Sequence, residues 1–393
     1  MSCLEQRKGK GKYFDPDALL ESISNASIAL VRGRWLVAHY EGGGKLMRRQ
    51  DLPKEAFFGV EELRKLIAAF GNGWGLLFVA ISCRWLDTDH PDPNSFHLAV
   101  IAKVAKIYLS GRDEYNRPCS PLVEAFKRVG YSGTADFGLM WDFMSLHQRP
   151  AGGGELNPQE AGLFALGRSA LPIWFGHAET VVWMQPKLPE GFAERVAPLN
   201  LAETYEASGW CFVESSMSLG GSGRRHGDRR LNLSLRKEAT EAAYGNSNFP
   251  ADWCLNRVCA VKRKPLRDPG WVAKELRTTK KFTCEGDANL VDGLYRDYFD
   301  SVTSSTRALN FSGLQWGDAE VASLALVLPR YDAIISVRSA QARYGTCTTC
   351  TICTTCVLAL CCATSSLTMT CSFPLPIDRS STSMPTRYGC RAQ

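Results

Sequence analysis

Gly138 to Gln148 reads G-L-M-W-D-F-M-S-L-H-Q. An apolar lead of Leu139, Met140 and Trp141 runs into a polar end that carries Asp142, Ser145, His147 and Gln148. Turn residues bound the stretch, Ser132-Gly133 before it and Pro150 to Gly154 after it. A short apolar run between turn signals reads as a core strand rather than a helix. In an open α/β sheet, ligands are met at the carboxyl ends of such strands. Asp142 to Gln148 are therefore expected at the wall of a cleft.

Two similar runs lie on either side. Leu76 to Ser82 (L-L-F-V-A-I-S) and Glu179 to Met184 (E-T-V-V-W-M) are apolar on both faces, as buried parallel strands are. Helical patterns separate them. Phe96 to Leu109 carries Leu98, Ile101, Val104 and Ala105 on one stripe, and Leu122 to Val129 is a shorter helix. Asn157-Pro158-Gln159-Glu160 places a cap residue, a first-turn proline and a capping-box glutamate in order, and opens a helix expected to run to about Leu171. A further helix within 201–219 has Trp210, Val213 and Met217 on one stripe. This alternation predicts an α/β fold, a right-handed parallel sheet with helices on both faces.

Outside that unit the patterns change. Residues 1–27 are expected as a loosely ordered lead-in. The β-prone runs Ile28 to Tyr40 and Lys45 to Arg49 flank Glu41-Gly42-Gly43-Gly44 and predict an N-terminal hairpin. No Lys-Ser/Thr follows the glycines, so they read as a turn and not a phosphate loop. Val60 to Phe70 is an amphipathic helix stopped by Gly71. Ser218 to Arg230 is a basic, glycine-rich loop. No aromatics interleave its arginines, so a solvated loop is preferred to a nucleic-acid contact. Residues 231–310 read as mainly helical, and Leu314 to Leu328 as a helix capped near Asp318 and closed by Pro329. The expected division is 1–70, 71–230, 231–337 and 338–393.

The chain has 393 residues, 45% hydrophobic and 22% charged, an ordinary globular balance. A net charge of +6 is too mild to argue for nucleic acid. The basic N-terminus is followed by no apolar leader, and no apolar run approaches the roughly 18 residues that span a bilayer. The expectation is a cytoplasmic protein without a membrane segment. Seven of the 15 cysteines are scattered over the first 346 residues, and eight crowd the last 47. Thr346 to Cys356 reads T-C-T-T-C-T-I-C-T-T-C. The spacing is that of zinc ligands, but the repeat is continuous, with no second separated pair and no histidine nearby. A low-complexity tail is preferred to a metal site, and no metal or resident cofactor is expected.

Three polar clusters, Ser82 to Trp85, Asp142 to Gln148 and Tyr205 to Glu214, follow or adjoin buried strands, and they carry a resemblance. Ser82-Cys83-Arg84-Trp85 resembles the Ser-Tyr-x-Trp of heterokaryon-incompatibility (HET) domains. Asp142 to Gln148 resembles that family's Asp-x-x-Cys-Ile-Asn-Gln, and Phe164 to Met184 its following helix and Val-x-Trp strand. Ser208 to Glu214 (S-G-W-C-F-V-E) is similar to the Ser-x-Trp-Cys-x-x-Glu of Toll/interleukin-receptor (TIR) domains, whose fold is ascribed to HET domains as well. The resemblance spans about residues 76–219. It departs at Cys83, where Tyr is usual, and at Ser145 and His147, which stand for Cys and Asn. Leu314 to Leu328 also resembles the lead-in helix of a leucine-rich repeat array, but no L-x-x-L-x-L-x-x-N follows it.

The resemblance implies a TIR/flavodoxin-like fold and a role in signalling and innate immunity. It also implies NAD as substrate, cleaved at the nicotinamide–ribose bond by Glu214. Ser82, Arg84, Trp85, Asp142, Gln148 and Trp210 would line the substrate, with Trp210 stacking on a ring and Arg84 either meeting a phosphate or fixing the carboxylate. Plainer roles stand beside these: Trp85 and Trp210 as core, Arg84 and Asp142 as a strand-end pair, Cys211 as a small buried hydrophobe. A triad of Asp142, Ser145 and His147 is disfavoured, because alternate residues of a strand share a face without reaching one another in line. The competing function is a non-enzymatic scaffold of the same fold, binding itself or other signalling proteins.

Overall fold

A computed structural model describes residues 11–70, 78–115, 120–150, 152–219, 230–235, 251–284, 286–310, 314, 316–333, 336–338 and 368–369. The main sheet has five strands: β1 (Val31–Arg32), β2 (Phe78–Cys83), β3 (Gly138–Met140), β4 (Thr180–Gln185) and β5 (Arg230–Asn232). Their spatial order is β1-β3-β2-β4-β5. β2 to β5 run parallel, and β1 pairs antiparallel with β3 at the edge. The chain moves from β2 outward to β3, then crosses back over β2 to β4. The crevice outside the carboxyl ends of β2 and β4 is the point where the strand order reverses, the usual ligand position in such sheets.

The helices in chain order are α1 (Pro16–Ser24), α2 (Gly33–Glu41), α3 (Val60–Phe70), α4 (Phe96–Tyr115), α5 (Pro121–Arg128), α6 (Asp142–Ser145) and α7 (Pro158–Gly176). They continue with α8 (Phe192–Val196), α9 (Gly209–Leu219), α10 (Ala251–Val258), α11 (Pro269–Thr278), α12 (Asp287–Ser305) and α13 (Asp318–Val327). Strand alternation sorts them onto two faces. Val79, Ile81 and Cys83 of β2 join Leu139, Val181 and Trp183 in a core covered by α2, α4 and α10. Phe78 and Ala80 join Met140, Val182 and Met184 in a second core under α1, α3, α5, α7, α9, α11 and α12. Ser82 follows the second set, and its side chain is thereby aimed at α9.

The expected hairpin is not formed. Its first limb is the two-residue β1 followed by α2. Gly33, Leu36, Val37 and Tyr40 recur at helical spacing, and burial of Leu36 and Val37 outweighs the β-prone composition. Gly42 caps α2 and Gly43 adopts φ +82°, so the triple glycine ends a helix. From residue 11 on the lead-in is ordered too. Asp15 accepts from the Asp17 amide to cap α1, which buries Leu19, Leu20 and Ile23. α7 has the full capping box and passes its expected end at Leu171, continuing through Pro172. Trp174 and Phe175, both in the core, justify those extra turns despite the proline.

β5 extends the sheet from the last residue of the basic loop, whose residues 220–229 lie outside the described ones. So does the cysteine repeat at 346–356. Ala308–Asn310, Ser336–Arg338 and Thr368–Met369 form a separate three-stranded parallel sheet. Among the described residues no helix is long and apolar enough to cross a membrane.

Candidate functional site

The site is built where β2 ends. Ser82 is fully buried, and its Oγ donates to Glu214 Oε2 at 2.6 Å. The Tyr205 hydroxyl lies 2.7 Å from the same Oγ. With Ser82 donating to the carboxylate, Tyr205 donates to Ser82, and two hydroxyls in series point charge-stabilising dipoles at Glu214. Glu214 is carried by α9, which packs on β2. α9 starts at Gly209, whose amide donates to the Lys281 carbonyl at 3.0 Å. A Cβ there would lie 2.0 Å from the Phe282 ring, so this start requires glycine.

Glu214 keeps part of its surface open to solvent, while dense protein surrounds the rest. Burial pushes its carboxyl up to about 8. The Ser82 hydrogen bond opposes the shift, and the nearby Asp142 charge reinforces it. Asp142, the first residue of α6, is also half-buried. Its Oδ2 accepts from Trp85 Nε1 at 2.8 Å and its Oδ1 from the Phe143 amide at 2.7 Å. Burial still raises it to about 6 against those two donors. At neutral pH Asp142 is therefore mostly ionised and Glu214 mostly protonated. Two carboxyls driven apart in this way form the usual arrangement for acid–base division of labour.

The other expected residues are placed differently. Trp85 is half-buried, edge-on to Phe143 at 5.7 Å, and orients Asp142. Gln148 Nε2 donates to the carbonyls of Asp142 (3.1 Å) and Leu146 (3.3 Å), so Gln148 clamps the turn that presents Asp142. Arg84 donates from Nε to the Ala202 carbonyl (3.2 Å) and from Nη1 to the Trp85 carbonyl (2.6 Å). It makes no ion pair among the described residues, with Asp142 or otherwise, and burial lowers its pKa. Trp210 donates to Asp287 Oδ2 at 2.9 Å, and Asp287 faces Arg168 at 3.7 Å. That indole therefore serves the contact between α9, α12 and α7. The structure thus gathers Ser82, Trp85, Asp142, Gln148 and Glu214, while Arg84 and Trp210 face packing partners.

Ser145 Oγ accepts from the Trp141 amide at 3.0 Å, and His147 Nδ1 lies 3.6 Å from Glu160, so no triad forms. Cys83 and Cys211 are buried thiols whose pKa values burial raises, which makes them poor nucleophiles. Tyr205 is the site residue that sequence reasoning passed over. It opens the same polar cluster that ends at Glu214, and an aromatic with a polar tip beside a buried strand was the available signal. Among the described residues no cluster of His, Cys, Asp and Glu is arranged to hold a metal ion. Comparison with protein-family models, curated proteins and solved structures finds no match.

Proposed function

We propose that this chain is a HET/TIR-like signalling domain that hydrolyses the nicotinamide–ribose bond of NAD, with Glu214 as the catalytic carboxylate. One observation carries the reading. Glu214 is a partly open carboxyl, raised to about 8 and held by Ser82 at the end of β2. The resemblance assigns catalysis to that same glutamate. The strand order β3-β2-β4-β5 supports a flavodoxin-like reading, with the carboxyl beside the switch point.

The chemistry balances with these groups. The bond from ribose C1′ to the pyridinium nitrogen breaks, and its electron pair goes to that nitrogen. Nicotinamide leaves neutral, with no proton required. The positive charge left on the ribose is stabilised by the Glu214 carboxylate, as in glycoside hydrolysis. Water adds to C1′ and its proton passes to Glu214. The positively charged nicotinamide ring of the substrate favours ionised Glu214 when it is bound beside the carboxyl. Incubating the chain with NAD should release nicotinamide, and Glu214→Gln should lower the rate by about a hundredfold or more. Equal release from both would refute the reading.

A non-enzymatic scaffold is the second reading, favoured by the commitment of Arg84 to backbone carbonyls and of Trp210 to Asp287. Self-association rising with concentration in light scattering, without nicotinamide release, is its signature. A monomer at every concentration, with no partner in a pull-down, counts against it.

A further inference from the structure

A cavity of about 450 Å³ opens between the loop that follows β2 and the loop that follows β4. Leu86 comes from the first loop and Pro189 from the second, and Phe96 of α4 completes the apolar wall. Leu86 and Phe96 belong to a small hydrophobic cluster with Phe192 and Val196 of α8, which fixes the floor. The two loops leave the carboxyl ends of neighbouring parallel strands, β2 and β4, between which the strand order reverses, so the cavity lies beside the switch point. Its volume lies in the range of small-molecule sites. Neither Glu214 nor Asp142 lines it.

The charge at this cavity is one-sided. Lys103 of α4 and Arg195 of α8 line it, and no acidic residue does. Both cations are exposed, and neither forms an ion pair among the described residues. Arg195 is already held in place: Nη2 donates to the Leu86 carbonyl at 3.1 Å, and the guanidinium lies 5.4 Å from the Phe192 ring centroid. Asp92, close by in sequence, is fully buried, with Oδ2 accepting from the Leu98 amide at 2.7 Å, and it is not part of the lining. A point charge and a planar fork from separate elements suit a phosphate, which takes several donors at once. The apolar wall suits a carbon body attached to it.

We propose that this cavity binds a small phosphate monoester carrying an apolar or aromatic body, at a site distinct from the carboxyl pair. The proposal does not depend on NAD hydrolysis. Calorimetric titration of the full chain with phenyl phosphate tests it, with phenol and inorganic phosphate as the separated halves. Phenyl phosphate should bind more tightly than either half. The double variant Lys103→Gln/Arg195→Gln alters two exposed side chains and should still unfold cooperatively, while raising the Kd about tenfold or more. Ala99→Phe keeps both charges but fills the cavity, and should abolish binding of phenyl phosphate. Glu214→Gln should leave the affinity as it is. The proposal is overturned by no measurable binding, by equal affinity for phenyl phosphate and inorganic phosphate, or by an unchanged Kd in the double variant. Loss of binding in Glu214→Gln would place the ligand at the carboxyl pair and overturn it as well.

Discussion

Glu214 sits where its charge is disfavoured by its surroundings and favoured by a single donor, and this balance sets its chemistry. Asp142→Asn removes a neighbouring negative charge, so Glu214 should titrate below about 8. Ser82→Ala removes the donor that favours the carboxylate, so titration should move up. Carbon-detected NMR of the glutamate carboxyls measures both shifts, and movement in the same direction would contradict the assignment. The same group links stability to pH. Unfolded, a glutamate ionises near 4.3; folded, Glu214 does so at about 8. Its contribution to stability is whole below about pH 4.3, falls as pH rises to about 8, and is constant above. Glu214→Gln lacks that decline and can still accept from Ser82. It should gain on the order of 2 kcal/mol over the parent between pH 4 and pH 9 in urea melts, allowing for partial exposure. At this scale the pattern of Ser82, Asp142 and Glu214 was legible, because strand alternation and the polar residue after an apolar run fix where those groups emerge. The engagement of Arg84 with the Ala202 carbonyl and of Trp210 with Asp287 was not, because those two partners are remote in sequence.

Among the elements, α9 decides whether the site exists. Gly209→Ala would drive a methyl group into the Phe282 ring, displacing the start of the helix. The expected outcome is a lowered thermal midpoint and loss of any nicotinamide release, although Gly209 carries no side chain to take part in the reaction. α7 gives a control for the energetics of local structure. Asn157 accepts from the Glu160 amide at 2.9 Å, and Asn157→Ala should cost about 1 kcal/mol with activity unaltered. That cap could be read in advance because its residues are neighbours in sequence. The helix at Gly33–Glu41 could not, since its aromatic and β-branched composition speaks for strand, and only burial against the sheet settles it. β1 and β5 share this difficulty: two or three residues carry no periodicity, and each exists by pairing with a neighbouring strand.

Across the molecule, the hydrophobic cores ignore the divisions that composition suggested. Tyr295, Tyr298 and Phe299 of α12 are buried in one cluster with Trp174 of α7, Val182 of β4 and Leu19 of α1. The Tyr298 hydroxyl donates to the Met217 carbonyl of α9 at 2.6 Å. A fragment ending at residue 230 would expose that surface, and should show no cooperative unfolding transition where the full chain shows one. The strand order was also beyond the sequence. Apolar runs announce strands, but the crossing of β3 and β4 on either side of β2 follows from non-local pairing and helix handedness. That order brings the carboxyl ends of β2 and β4 together; Ser82 at the end of β2 holds Glu214, and the loops that follow β2 and β4 line the cationic cavity.

The most direct measurement is the rate of nicotinamide release from NAD by the full chain and by Glu214→Gln, followed from pH 6 to pH 9. Under the proposed reaction the ionised carboxylate is the active form, so kcat/KM should rise with pH and approach a plateau above about 8, with Glu214→Gln low and flat throughout. A variant as active as the parent, or a parent that releases no nicotinamide at any pH, would contradict the account.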